Sequence, residues 1–433
     1  MSVDVRIGCG AGFAGDRIEP AVDLVERGEL DTLVLECLGE RTVSLAALRA
    51  DDGSGPGYDP LLRRRLLPLL GPLAHHGTKL VTNAGAADPL GAAQMARELA
   101  RAEGVSPRIA AVTGDEVLDR IDRAAPAWED GLPLEAHGEL VSAHAYLGAE
   151  ALLPALRGGA DLVFAGRVAD PSLFLAPIQE RLGWDPGDDH LSASGTLVGH
   201  LLECAGQVSG GYFADPGVKD VPDLANLGFP LAEVEGDGSA VITKLPGTGG
   251  RVDRMTVTEQ LTYEVTDPAA YLTPDVTLDM RGVKLSRSGP DRVRVSGARG
   301  RVRPDRLKVS VGYRAGFRGE GEISYAGPGA VARARLAGEV VRERLGGRVR
   351  AQVDLLGGTT DEVGECRLRV SGMSPDRAGA EAVEEEVTAL YTCGPAGGGG
   401  VRTRSTEVIG ILSSTIGRDL VEPGVTYVGK DSR

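Results

Sequence analysis

The sequence predicts an α/β fold, with a parallel-sheet N-terminal domain over residues 1–230 and an α+β C-terminal domain over residues 231–433. Three observations predict it. Short apolar runs alternate with amphipathic stretches through the first half of the chain, which indicates a parallel sheet with right-handed crossovers. Those runs are apolar nearly throughout, as expected of strands that helices cover on both faces. Beyond residue 231 the runs alternate apolar with polar residues, which is typical of half-exposed strands.

The N-terminal elements follow from apolar spacing and from helix caps. Asp88 is expected to cap one helix and Asp115 another, while Gly28 is expected to end a third. Pro68 and Pro72 are expected to break the helix that contains them. The predicted strands cover residues 3–10, 31–38, 79–85, 108–114, 139–146 and 161–168, and the helices cover 17–28, 61–77, 88–104, 115–124, 148–159, 170–183 and 192–206.

The C-terminal part has a different sequence pattern. Its predicted strands alternate apolar with polar residues, and two helices lie among them. GPAGGGG, at residues 394–400, is the one low-complexity segment. The strands are predicted over 256–265, 292–297, 306–313, 318–327, 349–357 and 366–372, and the helices over 329–345 and 376–392.

Composition limits the class of protein. The formal net charge is −15, from 62 acidic and 47 basic residues, which argues against binding to nucleic acids or to anionic membranes. The five cysteines are scattered without a CxxC pair, so we expect no metal site and reduced thiols in a cytoplasmic protein. The first residues lack the basic and apolar pattern of a leader segment, and no apolar run is long enough to span a membrane. We therefore expect neither a leader nor a membrane helix.

The first predicted βα turn reads GCGAGFAG at residues 8–15. Gly10, Gly12 and Gly15 satisfy G-x-G-x-x-G, and Glu36 follows at about the spacing of a ribose ligand. If the motif is counted from Gly8, at the end of the strand, its third glycine position is occupied by Phe13, which is too large for the close packing needed there. Asp16 would also place a negative charge beside the phosphates of a dinucleotide. Binding of a nicotinamide or flavin, binding of another ligand, and a purely structural turn therefore remain open.

Polar residues follow several predicted strands. In a parallel sheet, ligands bind beyond the carboxyl ends of the strands, so these side chains are expected to share one site. Carboxylates beside a histidine suit acid–base chemistry, and an arginine suits an anionic group. Each residue also has a structural alternative. An aspartate could cap a helix, Arg167 could pair only with Asp170, and His144 could be a hydrogen-bonded histidine at the sheet edge. The residues are Asp16, Arg17, Glu36, Glu40, Asn83, Asp115, His144, Arg167 and Asp170.

Two further segments are candidates. His200, Glu203, Cys204 and Gln207 have helical spacing and precede Gly210, so they are expected on one helix face, either functional or packed at an interface. Cys204 would lie at a helix C-terminus, which does not activate a thiol. The second glycine loop contains Gly397, Gly398, Gly399 and Gly400, with Arg402 and Arg404 close behind. It is interpreted as an anion-binding nest or as a flexible linker.

Five ordered motifs together resemble the acyclic terpene utilisation AtuA family over nearly the whole chain. They are IGCGAGFAGDR, KLVTNAGAADP, GADLVFAGRVADPSLF, HLLECAGQVSGGYFADPG and YTCGPAGGGGVRTR. Cys9 and Cys393 stand where family members often have Asn. Many members also continue into a small ferredoxin-like domain, which the resemblance implies is a separate subunit or is dispensable here. The family implies a role in the breakdown of branched terpenoid acids as CoA thioesters, without naming the chemical step.

The leading hypothesis is an enzyme that acts on a branched acyl-CoA or related carboxylic acid derivative by hydratase, lyase or acyl-transfer chemistry. CoA, as part of an anionic substrate, is the cofactor to consider, and a homo-oligomer is expected. The alternatives are a nicotinamide-dependent oxidoreductase and a non-catalytic scaffold subunit. Candidate catalytic residues are Asp16, His144, Asp170, Glu203 and Cys204. Candidate ligand-binding residues are Gly10, Gly12, Arg17, Glu36, Asn83, Arg167, Gln207, Gly210, Gly397, Gly398, Gly399, Gly400 and Arg402.

Overall fold

The structure, a computed structural model, describes residues 4–357 and 364–429. The chain forms two compact units. The first comprises Met1–Gly131, Val141–Val311 and Leu412–Arg433, and the second comprises Leu132–Leu140 and Gly312–Ile411. The boundary expected at residue 230 stays a prediction about domains. The first two strands that follow residue 230 belong to the same sheet as the first strand of the chain.

Eighteen strands and ten α-helices are present in the described residues. The strands are β1 (Val5–Ala11), β2 (Thr32–Leu35), β3 (Lys79–Thr82), β4 (Ile109–Thr113), β5 (Leu140–Ala145), β6 (Leu162–Ala165), β7 (Pro230–Val234), β8 (Ala240–Lys244), β9 (Tyr271–Leu272), β10 (Thr277–Asp279), β11 (Lys284–Gly289), β12 (Arg292–Ser296), β13 (Arg299–Arg301), β14 (Arg306–Ala326), β15 (Arg350–Gly357), β16 (Glu365–Ser374), β17 (Gly398–Gly417) and β18 (Gly424–Val428). The helices are α1 (Glu19–Arg27), α2 (Glu40–Asp51), α3 (Leu62–His76), α4 (Pro89–Ala102), α5 (Ala149–Arg157), α6 (Ser172–Leu182), α7 (Asp189–Leu202), α8 (Arg254–Thr262), α9 (Ala330–Leu345) and α10 (Arg377–Cys393).

A ten-stranded mixed sheet forms the centre of the first unit, in the order β11-β12-β8-β7-β1-β2-β3-β6-β4-β18. Its middle strands, β1, β2, β3, β6 and β4, are parallel, as the sequence predicts. The strands on both sides of them are antiparallel. The predicted parallel strands are therefore present, and the sheet as a whole is mixed. The antiparallel strands come from chain segments beyond residue 230, where the sequence pattern changes.

The position of β6 determines where a site can form. Because β6 lies between β3 and β4, the chain reverses its direction across the sheet after β4. Right-handed crossovers then place α4, which follows β3, and α6, which follows β6, on opposite faces of the sheet. Packing agrees, since α1, α3 and α4 form one row of helices and α5, α6 and α7 form another. The loops after β3 and β6 therefore leave the sheet toward opposite faces, and the carboxyl ends of these two strands are where a ligand is expected in such a sheet.

Four element predictions are wrong for identifiable reasons. Residues 256–265, expected as a strand, contain α8, because the side chain of Asp253 accepts the Met255 and Thr256 N–H groups in a capping box. No helix covers residues 115–124, because the chain there turns back toward β5. Helix α3 runs on through its two prolines, held by a buried face of leucines. The two strands expected over 306–327 are one strand, β14.

The second unit contains a sheet in the order β15-β16-β14-β17. Helices α9 and α10 pack on β16 and on each other, around buried side chains such as Ile323, Val341, Leu368 and Val387. The glycine-rich segment does not form a flexible linker in the described residues, because Gly398 to Gly400 begin β17. A Cβ at Gly398 would lie 2.8 Å from Cδ1 of Ile323, so the absence of a side chain there allows close packing.

Candidate functional site

Polar side chains from the ends of successive strands meet near the carboxyl ends of β3 and β6. Glu36 follows β2, Asn83 follows β3, Asp115 follows β4, and Arg167 and Asp170 follow β6. Of these, only Asp170 is more than slightly exposed. Buried polar groups must find partners within the protein, so their hydrogen bonds define the geometry of the site.

Asn83 holds Glu36 in place. The Asn83 Nδ2 donates to Glu36 Oε1 at 2.9 Å, and its Oδ1 accepts the Cys37 N–H at 2.8 Å. The Leu38 N–H also donates to Glu36 Oε1, at 2.9 Å. Burial, reinforced by the nearby carboxylate of Asp170, raises the pKa of Glu36 to about 8, although Arg167 and these donors oppose the shift. Glu36 is therefore largely protonated at neutral pH.

Arg167 lies at the centre of the site and is 1% exposed. Its guanidinium donates to the carbonyl oxygens of Leu38 and Val168 and forms an ion pair with Asp170. The guanidinium also stacks over the ring of Tyr146, with 4.6 Å between Cζ and the ring centroid. These contacts occupy the donors of Arg167, so its main effect on the site is its positive charge.

Asp170 is the open carboxylate of the site. Its side chain is 36% exposed, whereas that of its partner Arg167 is 1% exposed. The surrounding protein raises the pKa of Asp170 by desolvation, and Arg167 opposes this shift. An ion-paired carboxylate that a ligand can reach, in surroundings that favour its protonation, is suited to accept a proton.

A second acid beside Asp170 has the opposite character. Tyr146 donates to Glu40 Oε1 at 2.7 Å, and Lys308 Nζ lies 3.2 Å from the same oxygen. Burial raises the pKa of Glu40, but Tyr146, Lys308 and Arg167 together outweigh burial and lower it to about 2. Glu40 therefore stays ionised and does not exchange protons near neutral pH.

Glu203 is held in its protonated form by His200. The imidazole Nε2 lies 3.2 Å from the Leu261 carbonyl oxygen, so it must carry the proton and donate. Burial lowers the pKa of His200 to about 4, so the ring is neutral and its Nδ1 can only accept. Glu203 Oε1 lies 3.0 Å from that Nδ1 and must therefore donate a proton to it. Burial also raises the pKa of Glu203 well above its usual value, in agreement with this arrangement.

Asp115 and His144 form a buried pair beneath Arg167. The His144 Nδ1 lies 2.9 Å from Asp115 Oδ2, and the same oxygen accepts the Arg167 backbone N–H at 2.8 Å. Asp115 therefore orients a histidine and a loop, and the expectation that it caps a helix is wrong. His144 Nε2 is buried and has no hydrogen-bond partner within the described residues.

The first glycine loop is tightly packed. Gly12 donates its N–H to Asp16 Oδ2 at 2.8 Å, so Asp16 closes the turn, and burial raises the pKa of Asp16. A Cβ at Gly12 would lie 2.4 Å from the Cys204 carbonyl carbon, and one at Gly10 would meet side chains of the core. Arg17 is exposed and donates to the carbonyl oxygens of Leu224 and Ala225.

The segment after α7 differs from the predicted single helix face. Helix α7 ends at Leu202, and a short 3₁₀ turn follows over Ala205–Gln207. Burial raises the pKa of Cys204 well above that of a free thiol, so it is not an activated nucleophile. Gln207 hydrogen-bonds Tyr263. Gly210 has a φ of 107°, a conformation that favours glycine.

An apolar cavity of about 310 Å³ adjoins the site. Leu38, whose carbonyl oxygen accepts from Arg167, is one of its walls, and Cys37 is another. The cavity is large enough for a short hydrocarbon chain. Its other apolar walls are Phe13, Leu45, Ala46, Leu61 and Ala86.

A family model described as "Acyclic terpene utilisation family protein AtuA" matches residues 5–427. The chain belongs to the AtuA family. The match of this family model confirms the resemblance inferred from the five sequence motifs. A search of curated proteins finds none that matches this AtuA-family chain. No helix in the described part of the chain is long and apolar enough to cross a membrane. Nor does any group of three or more His, Cys, Asp or Glu side chains there have the arrangement of a metal site.

The AtuA motifs contribute unequally to the site, and Glu36 lies outside all five of them. Glu36, Asn83, Arg167 and Asp170 lie together, and Glu203 acts electrostatically on Cys204 and is itself affected by Asp170. Their roles in binding or catalysis stay predictions. Gly397, Gly399 and the exposed Arg402 lie in the second unit.

Sequence reasoning missed three participants in the site. Tyr146 ends a predicted strand, where the neighbouring histidine gives the stronger functional signal. Lys308 and Tyr271 come from distant segments, and no local pattern marks them. The Tyr271 ring lies 5.1 Å from that of His200, and burial raises the pKa of this tyrosine.

The raised pKa of Glu36 predicts a dependence of stability on pH. Between its usual pKa of 4.5 and about 8, folded Glu36 keeps a proton that the unfolded chain has lost. Stability therefore falls as the pH rises through this window. Glu36→Gln keeps the oxygen that accepts from Asn83 and Leu38 but cannot ionise. We expect it to match the wild type in urea unfolding at pH 4, below the pKa of the unfolded chain, and to exceed it by about 3 to 5 kcal/mol at pH 8.5. Equal pH dependence of both proteins would contradict the assignment.

Proposed function

We propose that this AtuA-family protein is an enzyme that transfers protons on a branched acyl-CoA or a related carboxylic acid derivative, as a hydratase or lyase. The observation that carries the proposal is the pairing of an open carboxylate, Asp170, with neutral buried acids, Glu36 and Glu203. Acids whose pKa values are separated by their surroundings can serve as base and acid in the same reaction.

The roles follow from protonation and exposure. In the loss of water, the Cα–H and Cβ–OH bonds of the acyl group break. Asp170 accepts the α-proton, because its carboxylate pairs with Arg167 and is open to a ligand. Glu203, whose side chain keeps 11% of its surface exposed, releases the proton that it donates to His200 Nδ1 in the resting site and transfers it to the departing hydroxyl group. The addition of water is the same sequence reversed, so the proton balance holds in both directions.

The apolar cavity supports a hydrocarbon substituent on the substrate. It begins at Cys37 and Leu38, one residue beyond Glu36, and its lining is mainly apolar. Acyl transfer through Cys204 receives less support, because burial keeps that thiol protonated. A nicotinamide cofactor also receives less support, because Asp16 already accepts the Gly12 N–H that a diphosphate would need.

Exchange of the α-proton with solvent tests this proposal in whichever direction the reaction runs. Purified protein is incubated in D₂O with branched acyl-CoA esters that are saturated, α,β-unsaturated or β-hydroxylated, and each ester is analysed by mass spectrometry. We expect deuterium at the α-carbon of at least one ester, together with gain or loss of water. Folded protein that leaves every ester unchanged would contradict an enzymatic role and favour the scaffold alternative.

A further inference from the structure

A second cavity of about 420 Å³ lies on the outer side of the first glycine loop. We call it the arginine pocket. It is separate from the carboxylate cluster around Arg167, and nothing in the proposed proton transfer uses it. It is lined by Gly15, Asp16, Arg17, Ile18, Glu19, Leu61, Arg64 and Arg65.

Two helices begin at the arginine pocket. Ile18 precedes the nine residues of α1, and Leu61 precedes the fifteen residues of α3. Neither residue caps its helix with a side-chain hydrogen bond. Asp59 accepts the Leu61 N–H, which leaves the positive end of the α3 dipole only partly compensated. Helix N-termini attract anions, and here two of them converge.

Arg65 provides the independent observation. It is 1% exposed, and its Nη2 donates to the carbonyl oxygens of Ala14 and Asp16. Its Nε and Nη1 have no hydrogen-bond partner, and no carboxylate of the described chain forms an ion pair with it. A buried cation with two unused N–H groups is costly unless an anion compensates its charge.

Two more arginines line the pocket at its surface. Arg64 is exposed and makes no hydrogen bond or ion pair with any described residue. Arg17 uses Nη1 on two carbonyl oxygens and keeps its positive charge. The opposing charges in the pocket are Asp16, whose pKa burial raises, and the exposed Glu19. The pocket lining therefore has three guanidinium groups and two carboxyl groups, in a chain whose net charge is −15. A third carboxyl group, that of Asp59 in the adjoining apolar cavity, interacts electrostatically with Arg65.

The arginine pocket adjoins the apolar cavity. Gly15 and Leu61 line both, and Phe13, which is 63% exposed, lies at the edge of the apolar side. A ligand that fills both would need an anionic head and an apolar chain. Arginines at helix N-termini favour phosphate for the head, because its several oxygens can accept from more than one donor.

We propose that the arginine pocket binds the phosphate group of an organic phosphate ester whose apolar portion extends into the cavity beside Leu38. CoA esters and alkyl phosphates share this chemistry. The binding site does not depend on the proton-transfer reaction, so each can fail without the other.

Binding is tested by isothermal titration calorimetry at low ionic strength with CoA, octyl phosphate and inorganic phosphate as separate probes. We expect at least one of the two organic phosphates to bind more tightly than inorganic phosphate. Arg64→Gln should weaken that binding at least fivefold, and added salt should weaken it further. Tight binding of CoA alone would identify a CoA ester as the ligand, and tight binding of octyl phosphate alone would identify an alkyl phosphate.

Arg63→Gln is the matched control, because Arg63 is the adjacent exposed arginine of α3 and lines a different depression. It should change the affinity less than twofold. Arg17→Gln gives a second test from another segment, and we expect a loss of at least threefold. Equal effects of Arg63→Gln and Arg64→Gln, or no binding of either organic phosphate at about 1 mM, the scale of weak complexes, would overturn the proposal. Asp170→Asn should leave this binding unchanged.

Discussion

Arg167→Met lowers the free energy of unfolding by about 3 to 5 kcal/mol at pH 7, the cost expected for removing one member of a buried ion pair. The guanidinium is 1% exposed and is the buried positive group among the carboxyl groups of Glu36, Glu40 and Asp170, whereas Lys308 contacts Glu40 from a more exposed position. Without it, Asp170 must take up a proton or remain unpaired, and the carbonyl oxygens of Leu38 and Val168 lose their donors. Urea unfolding measures the change directly.

The pH dependence of this loss separates charge from packing. Methionine fills similar space, so a packing defect would cost the same at every pH. An electrostatic role predicts a smaller loss at pH 5, where the carboxylates protonate more readily. Arg181→Met is the control, because Arg181 is 59% exposed and its ion pair with Asp31 spans 3.3 Å. It should cost less than about 1 kcal/mol. Similar losses for both variants would refute a central role for Arg167.

Asp170→Asn reduces turnover by about 10² to 10⁴-fold, the usual contribution of a positioned acid or base. Asparagine keeps an oxygen for Arg167 but cannot accept the α-proton. Asparagine also removes the charge that pairs with the buried guanidinium of Arg167, so we expect a lower melting temperature, and the rate is measured at a temperature at which the variant is folded. The measurement is the rate of deuterium incorporation into the most reactive acyl-CoA ester. KM should change far less than kcat, since the substitution removes a proton acceptor and leaves the binding surfaces intact.

Asp161→Asn is the matched control for this variant. Asp161 immediately precedes β6, at the end of the strand opposite to Asp170, and accepts the Arg108 N–H. The same chemical change there should leave the rate within about twofold, because no group of the site depends on it. Normal exchange by Asp170→Asn would remove Asp170 from the mechanism.

Much of this site could be predicted from sequence, because a single rule of sheet geometry places most of its residues together. Strand ends in a parallel sheet lie along one edge, so Glu36, Asn83, Arg167 and Asp170 are expected together, and the structure places them so. The i, i+3 spacing of His200 and Glu203 likewise predicts their proximity.

The remaining features depend on long-range pairing. The position of β6 between β3 and β4 decides which loops separate, and no local pattern encodes it. Lys308 reaches Glu40 from a strand 268 residues further along the chain. Asp253 caps α8 in a segment whose alternating pattern favours a strand, so the cap outweighs the periodicity. The protonation states of Glu36 and Glu203 depend on burial, which sequence alone does not provide.

The titration of the glutamate side chains tests the central claim most directly, which is that the cluster around Arg167 holds neutral acids at neutral pH. Nuclear magnetic resonance of ¹³C-labelled glutamate carboxyl groups follows each of them between pH 3 and pH 10. The account predicts one resonance that titrates near pH 8, assigned to Glu36 by its disappearance in Glu36→Gln, and one from Glu203 that stays protonated at pH 7. Titration of every glutamate below pH 6 would contradict it.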